Sequence, residues 1–209
     1  MSPDPVGRVL ARGDDSRHPL LLLHGSHGGE LDLVPLARRL APGATYLALR
    51  GTVRLSDGHA FFRRHPDRRI DEDDLRSRIP GLVSAVRDHR PELRGRRPVA
   101  VGFSNGAITA TALMTSAPDL LSGAVIIRPL TPFATLPDAR LDGLPVLLLE
   151  AAADERRSPG DGARCADWLA LLGADVTHHM VPATHAITAL DEQLAGSWLQ
   201  ALGIPGDNP

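Results

Sequence analysis

Residues 102–106, read as G-F-S-N-G, set the Ser104 hydroxyl between Gly102 and Gly106 where an apolar run gives way to an alanine-rich one. The G-x-S-x-G pattern fixes only three positions, and alone it is equally well a Gly/Ser turn. Its neighbours supply more. Residues 98–102 read as a buried strand and 105–115 as a helix, and a strand, a sharp turn and a helix in succession are what expose a nucleophilic hydroxyl on a strained turn. At 102 and 106 a Cβ would collide with the neighbouring strand and helix, which gives both glycines a purpose. Backbone N–H groups at the helix start, Asn105 first, would then face the reacting atom and stabilise negative charge on a substrate oxygen.

A serine hydroxyl is a weak nucleophile at neutral pH, so this chemistry needs a base and a group that orients the base. Nine histidines are available. His185, in V-P-A-T-H-A-I-T, follows the last expected strand and precedes the last expected helix, at the same sheet end as Ser104. His24 opens the loop after the first strong strand and reads as a residue that holds that loop. His178 and His179 lie within a strand, one facing inward as a satisfied core histidine. For the acid, Asp154 follows the apolar run ending at Glu150, one strand-helix unit before His185, with Glu150 and Glu155 as competitors. The order Ser104, Asp154, His185 separates this set from chymotrypsin-like and subtilisin-like arrangements. The glycine-rich stretch H-G-S-H-G-G-E at 24–30 is expected to supply a second oxyanion donor, the N–H of Ser26. It lacks the spacing of a phosphate loop.

These residues need a scaffold with strands that end on one side. Short apolar runs recur at 20–23, 45–49, 98–102, 123–127, 145–150 and 176–181, several of them apolar on both faces as buried parallel strands are. Between them lie helical spacings such as Leu33, Leu36, Ala37, Leu40 and Ala163, Ala166, Leu169, Leu172. The alternation predicts an α/β fold with a mostly parallel central sheet, helices on both faces, and a site beyond the strand C-termini. The long segments 50–70 and 128–145 are read as loops that wall a pocket, the second too short for a separate cap domain. Residues 71–90 begin with acids suited to a helix N-terminus yet carry Pro80 and Gly81, so a kinked helix and two short ones fit equally. The whole chain, 1–209, is expected to form one domain with fraying ends at 1–5 and 203–209.

Net charge is −2, and every basic side chain is arginine because lysine is absent. That balance argues against a nucleic-acid partner, including for the cluster F-F-R-R-H-P-D-R-R at 61–69 with its interleaved acid. The single cysteine, Cys165, excludes an intramolecular disulfide, and no metal-ligand spacing is present. No run is long and apolar enough for a signal peptide or membrane span, so a cytoplasmic location is the expectation.

With these residues in place, the chain resembles the phospholipase/carboxylesterase family of small α/β-hydrolases, which includes acyl-protein thioesterases, and within it the bacterial carboxylesterase branch. The likeness runs from about residue 20 to residue 202. It is carried by L-L-L-H-G-S-H-G-G-E-L-D, V-A-V-G-F-S-N-G-A-I, P-V-L-L-L-E-A-A-A-D-E-R-R-S-P and G-A-D-V-T-H-H-M-V-P-A-T-H-A-I-T. The resemblance implies a cofactor-free triad of Ser104, Asp154 and His185 with Ser26 and Asn105 as oxyanion donors. The implied partner is a small-molecule ester cleaved through an acyl-enzyme, with acyl thioesters or lysophospholipids as alternative substrates and a homodimer left open. A non-catalytic ligand-binding module is the competing class. Asn105, where thioesterases carry Gln, favours the carboxylesterase branch. Two departures stand out: His27 occupies a glycine position of the early loop, and Glu155, Arg156 and Arg157 give the acid loop a charged rim. His27, Phe61 and Phe62 are candidate substrate-binding residues.

Overall fold

In a computed structural model, described for residues 8–14 and 17–202, seven strands form one sheet. The fraying expected for 1–5 and 203–209 lies outside the described residues. The strands are β1 (Arg8–Ala11), β2 (Leu20–Leu23), β3 (Tyr46–Leu49), β6 (Val99–Phe103), β7 (Gly123–Ile127), β8 (Pro145–Ala151) and β9 (Asp175–Val181), in the spatial order β1-β3-β2-β6-β7-β8-β9. Every pairing is parallel except that of β1 with β3, the antiparallel edge.

The continuous apolar runs follow from burial on both faces. Leu21, Leu23, Leu47, Leu49, Ala100 and Ile126 point into one core cluster, and Leu20, Leu22, Ala48, Val101 and Val125 into the other. Successive strand residues alternate between faces, so each face must find its own helices. Helices α2 (Glu72–Asp88), α3 (Asn105–Ser116) and α4 (Asp161–Leu171) cover the first, while α1 (Val34–Leu40) and α5 (Ala189–Ala201) cover the second. Each fully buried leucine contributes about 1.5–3 kcal/mol by leaving water, and all four residues of β2 are buried.

The acid-rich segment resolves into one helix. Asp71 caps α2 by accepting the Asp74 N–H at 3.0 Å, and Pro80 lies on its exposed face between the buried Ile79 and Leu82. Proline forfeits one helical hydrogen bond there, and the buried face on either side holds the helix continuous.

Segment 50–70 is more ordered than the loop expected from its composition. Strands β4 (Val53–Leu55) and β5 (Gly58–Ala60) make a hairpin, which docks on the early glycine-rich loop where the His59 N–H donates to the Gly28 carbonyl at 2.9 Å. Segment 128–145 contains no helix or strand before β8 begins at Pro145, and it forms no cap domain; Phe133 and Leu141 anchor it in the core. No helix among the described residues is long and apolar enough to cross a membrane.

Candidate active site

Parallel register brings the functional loops out at one edge. Leu23 pairs with Gly102 and Phe103 with Ile127, while Leu149 faces His179. The chain therefore leaves β2 toward Ser26, β6 toward Ser104, β7 toward Arg128, β8 toward Asp154 and β9 toward His185 on the same side of the sheet.

Ser104 joins β6 to α3 at φ 52° and ψ −106°, a left-handed conformation that side chains rarely adopt. Close approach of main chain on both sides holds it there. A Cβ at 102 would lie 2.6 Å from the Gly106 carbonyl oxygen, and one at 106 only 1.9 Å from that of Leu23. The Ser104 N–H donates to the Ile127 carbonyl at 2.9 Å, tying the turn to the next strand.

His185 Nε2 is 2.9 Å from Ser104 Oγ, and His185 Nδ1 is 2.9 and 2.8 Å from the two carboxylate oxygens of Asp154. With Nδ1 donating to the carboxylate, Nε2 is left to accept the serine proton. Asp154 is buried, and its Oδ1 also accepts the Arg156 N–H at 2.9 Å. The competing acids are elsewhere: Glu150 meets His178 at 2.9 Å, and Glu155 is exposed. Burial of the imidazole pushes the His185 pKa below 6.5; Asp154 pulls it back up, and the Arg157 and Arg156 charges push it further down. Phe103 packs on the ring, with centroids 5.2 Å apart.

The first N–H groups of a helix have no intrahelical acceptor, and that of Asn105 opens α3 directly after the serine. The Asn105 side chain is fully buried, and its Oδ1 accepts the Phe61 N–H at 2.8 Å. His24 performs the loop-holding role expected of it. Its Nε2 accepts the Gly51 N–H at 3.0 Å while Nδ1 donates to the Gly25 carbonyl at 2.6 Å, the neutral tautomer that its burial favours. This holds Gly25 against Phe103 and leaves half-buried Ser26 next along the loop.

Two expectations need correction. Phe61 and Phe62 are core residues, each 1% exposed, Phe61 against His24 and Phe62 beneath Arg64, because aromatic area in a chain this poor in aromatics is worth most in the interior. His178 is no core histidine either. It lies half-buried on the edge strand β9, paired with Glu150, and His179 is exposed. The third candidate substrate residue, His27, is held at φ 67° with its side chain 53% exposed and hydrogen-bonded to Asp57 at the tip of the hairpin.

Two arginines that composition alone does not single out complete the site. Arg128, fully buried at φ 56°, makes a two-pronged ion pair with Asp191 at 2.7 and 2.8 Å and donates to the carbonyls of Thr184 and Ala186, on either side of His185. Asp191 in turn closes a capping box with Thr188 at the start of α5. Arg157 donates to the carbonyls of Arg128, Pro129 and Arg156 and brings Nη2 within 3.3 Å of Ser104 Oγ. Cys165, by contrast, is buried with its thiol pushed up to about 12, unsuited to nucleophilic work. Among the described residues no three His, Cys, Asp or Glu side chains converge to hold a metal ion.

No family model matches the chain. A curated relative does: MhqD of Bacillus subtilis (strain 168), which is named as a hydrolase, is 30% identical over 185 residues, 88% of this chain and 92% of that protein. The chain belongs to the phospholipase/carboxylesterase family of α/β-hydrolases. Solved structures agree. A carboxylesterase from Bacillus cereus superposes with a TM-score of 0.90 at 32% identity, covering 96% of each chain. Another from Mesorhizobium loti gives 0.88 at 28% identity, covering 96% of this chain and 97% of its own. The α/β-hydrolase architecture expected from the alternation of elements is thus the observed one.

Proposed function

We propose that this α/β-hydrolase cleaves carboxylic esters of small or medium-sized molecules through an acyl-enzyme on Ser104, with His185 as the base, Asp154 as its orienting partner, and the N–H groups of Ser26 and Asn105 as the oxyanion donors. The observation that carries the reading is the hydrogen-bonded series from Ser104 Oγ through His185 to Asp154. The names of the carboxylesterase relatives support the ester bond as the target.

His185 takes the serine proton as Oγ bonds to the ester carbon, and the former carbonyl oxygen carries the negative charge toward the two N–H donors. Collapse breaks the bond to the alcohol oxygen, which leaves with the proton from His185. Water then gives a proton to His185 as its oxygen bonds to the acyl carbon; collapse breaks the bond to Oγ, which takes the proton back from His185, so the carboxylic acid leaves and Ser104 is restored. Asp154 keeps the ring in the tautomer that both halves require. We assign the activity to a single domain spanning 1–209, in the cytoplasm, on small molecules, with no nucleic-acid partner. A homodimer is compatible with this assignment.

A fluorophosphonate probe added to the folded protein is expected to leave a single adduct, found at Ser104 by peptide mass mapping. No adduct, or one at another residue, overturns the assignment. The state of His185 gives a second test. A base must be neutral, and burial holds this imidazole below its ordinary 6.5. The rate constant kcat/KM is therefore expected to rise with pH through a midpoint under 6.5 and to be level by neutrality. A midpoint well above 6.5, with chemistry limiting, contradicts it.

A further inference from the structure

Arg157 joins the reacting serine to a much larger space. It lines a cavity of about 970 Å³ formed by segments 64–72, 130–134 and 155–171, and it also touches Ser104 Oγ. The cavity wall is rich in charge, and most of that charge is already matched. Asp67 pairs with Arg69 at 2.6 Å, Asp161 with Arg164, and Glu72 with Arg76 at 3.6 Å. At the rim, Arg68 and Arg156 are exposed, as are Glu155 and Asp167.

Two half-buried guanidinium groups at the inner end have no such match. Arg64 donates to the Arg68 carbonyl at 2.7 Å and lies over the Phe62 ring, and Arg157 donates to main-chain carbonyls and to Ser104. Neither forms an ion pair with a carboxylate among the described residues. Burial first and then the Arg64 charge lower Arg157, and the Asp154 and Asp161 carboxylates offset this only in part, so that its pKa falls to about 10. Both stay protonated at neutral pH. Two cations held together in a partly dehydrated wall repel each other and keep much of their desolvation cost until an anion joins them. Carbonyl acceptors engage Nε and one hydrogen each of Nη1 and Nη2 and so fix the orientation of Arg157, which leaves the second Nη1 hydrogen, and the Nη2 hydrogen that faces Ser104 Oγ, to meet an oxyanion.

We infer that the substrate is an anionic ester, with a carboxylate or phosphate-type group a few bonds from the scissile carbonyl, and that Arg157 and Arg64 bind that group at the inner end of the cavity. This rests on the ester-hydrolase reading above and names the substrate class of the same site. Arg157 is fixed by its carbonyl partners and bridges nucleophile and cavity, and Arg64 completes the receptor from the facing segment. The anion supplies the missing counter-charge, and its binding orients the carbonyl over Ser104.

The test compares three aryl esters of matched length: an aryl hexanoate, the corresponding monoaryl adipate, and an analogue ending in a phosphonate. Each is run against the Ser104→Ala protein to subtract spontaneous hydrolysis. Expected is a kcat/KM at least tenfold higher for one or both anionic esters than for the neutral one, shrinking as salt is raised. The ratio of anionic to neutral kcat/KM should fall at least tenfold in Arg64→Gln and in Arg157→Gln. That ratio separates recognition from damage, because misfolding or a displaced serine lowers all three esters alike. The two anionic termini show which oxyanion is preferred. Turnover of the neutral ester with equal or weaker turnover of both anionic ones overturns this inference and leaves the hydrolase reading standing, as does a ratio unmoved by either substitution. No Ser104-dependent turnover of any of the three removes both.

Discussion

Ser104→Ala is expected to lower turnover of a short-chain aryl ester on the order of a million-fold, with His185→Ala costing about as much and the double variant little more. The non-additivity is the informative part. The hydroxyl is useful only when its proton has somewhere to go, and His185 Nε2 at 2.9 Å is the acceptor the geometry provides. Residual rate above water would come from substrate binding and the oxyanion donors, which neither substitution touches. Purified variants with unchanged circular dichroism, assayed at high enzyme concentration, decide the matter. A Ser104→Ala protein that keeps its rate would end the assignment, and losses that simply multiply in the double variant would show the two side chains acting separately.

The largest effect on stability is expected away from the reacting atoms, at Asp191. Both members of the Arg128–Asp191 pair are 0% exposed in their side chains. Burial alone would raise the Asp191 carboxyl, but hydrogen bonds from Arg128 and Thr188 outweigh it and hold the group ionised. Removing the carboxylate in Asp191→Ala strands a buried guanidinium and opens the capping box of α5, for a loss of about 3–5 kcal/mol in urea unfolding. Activity should fall as well, since Arg128 grips the carbonyls of Thr184 and Ala186 on either side of His185. Replacing both partners, as in Arg128→Met with Asp191→Leu, should restore much of the stability and little of the activity. Unfolding of Asp191→Ala at the wild-type urea concentration would refute the argument.

How much of this was legible in the sequence depended on what each residue does. Ser104 announces itself through Gly102 and Gly106, because close main-chain approach can be met only by removing side chains, and composition records the removal. Asp154 and His185 were found by position, each just past an apolar run, since parallel strands bring their C-terminal ends to one edge. The hairpin at β4 and β5 escaped notice because its strands are three residues long, and β1 because only an antiparallel edge partner makes its four residues a strand. Arg128 was illegible for a different reason, and Arg157 showed only as one of the three charges on the rim of the acid loop. Among 23 basic residues, all of them arginine, nothing local distinguishes a guanidinium that turns inward from one that faces water. Only the fold, by bringing Asp191 to the first and main-chain carbonyls to the second, makes the distinction. Phe61 and Phe62 show the converse, an adjacent aromatic pair equally suited to a pocket wall or a core until packing chooses.

The obstacles to any side chain at 106 are carbonyl atoms of Leu23 and His24, a part of the polypeptide that substitution does not alter. The Ser104 turn is thereby held from the sheet, while the recognition of an anionic ester proposed above would rest on guanidinium groups carried by peripheral segments. An engineer could graft a new rim at 64–70 onto this framework and change what enters, with the Ser104 turn kept in register beneath it.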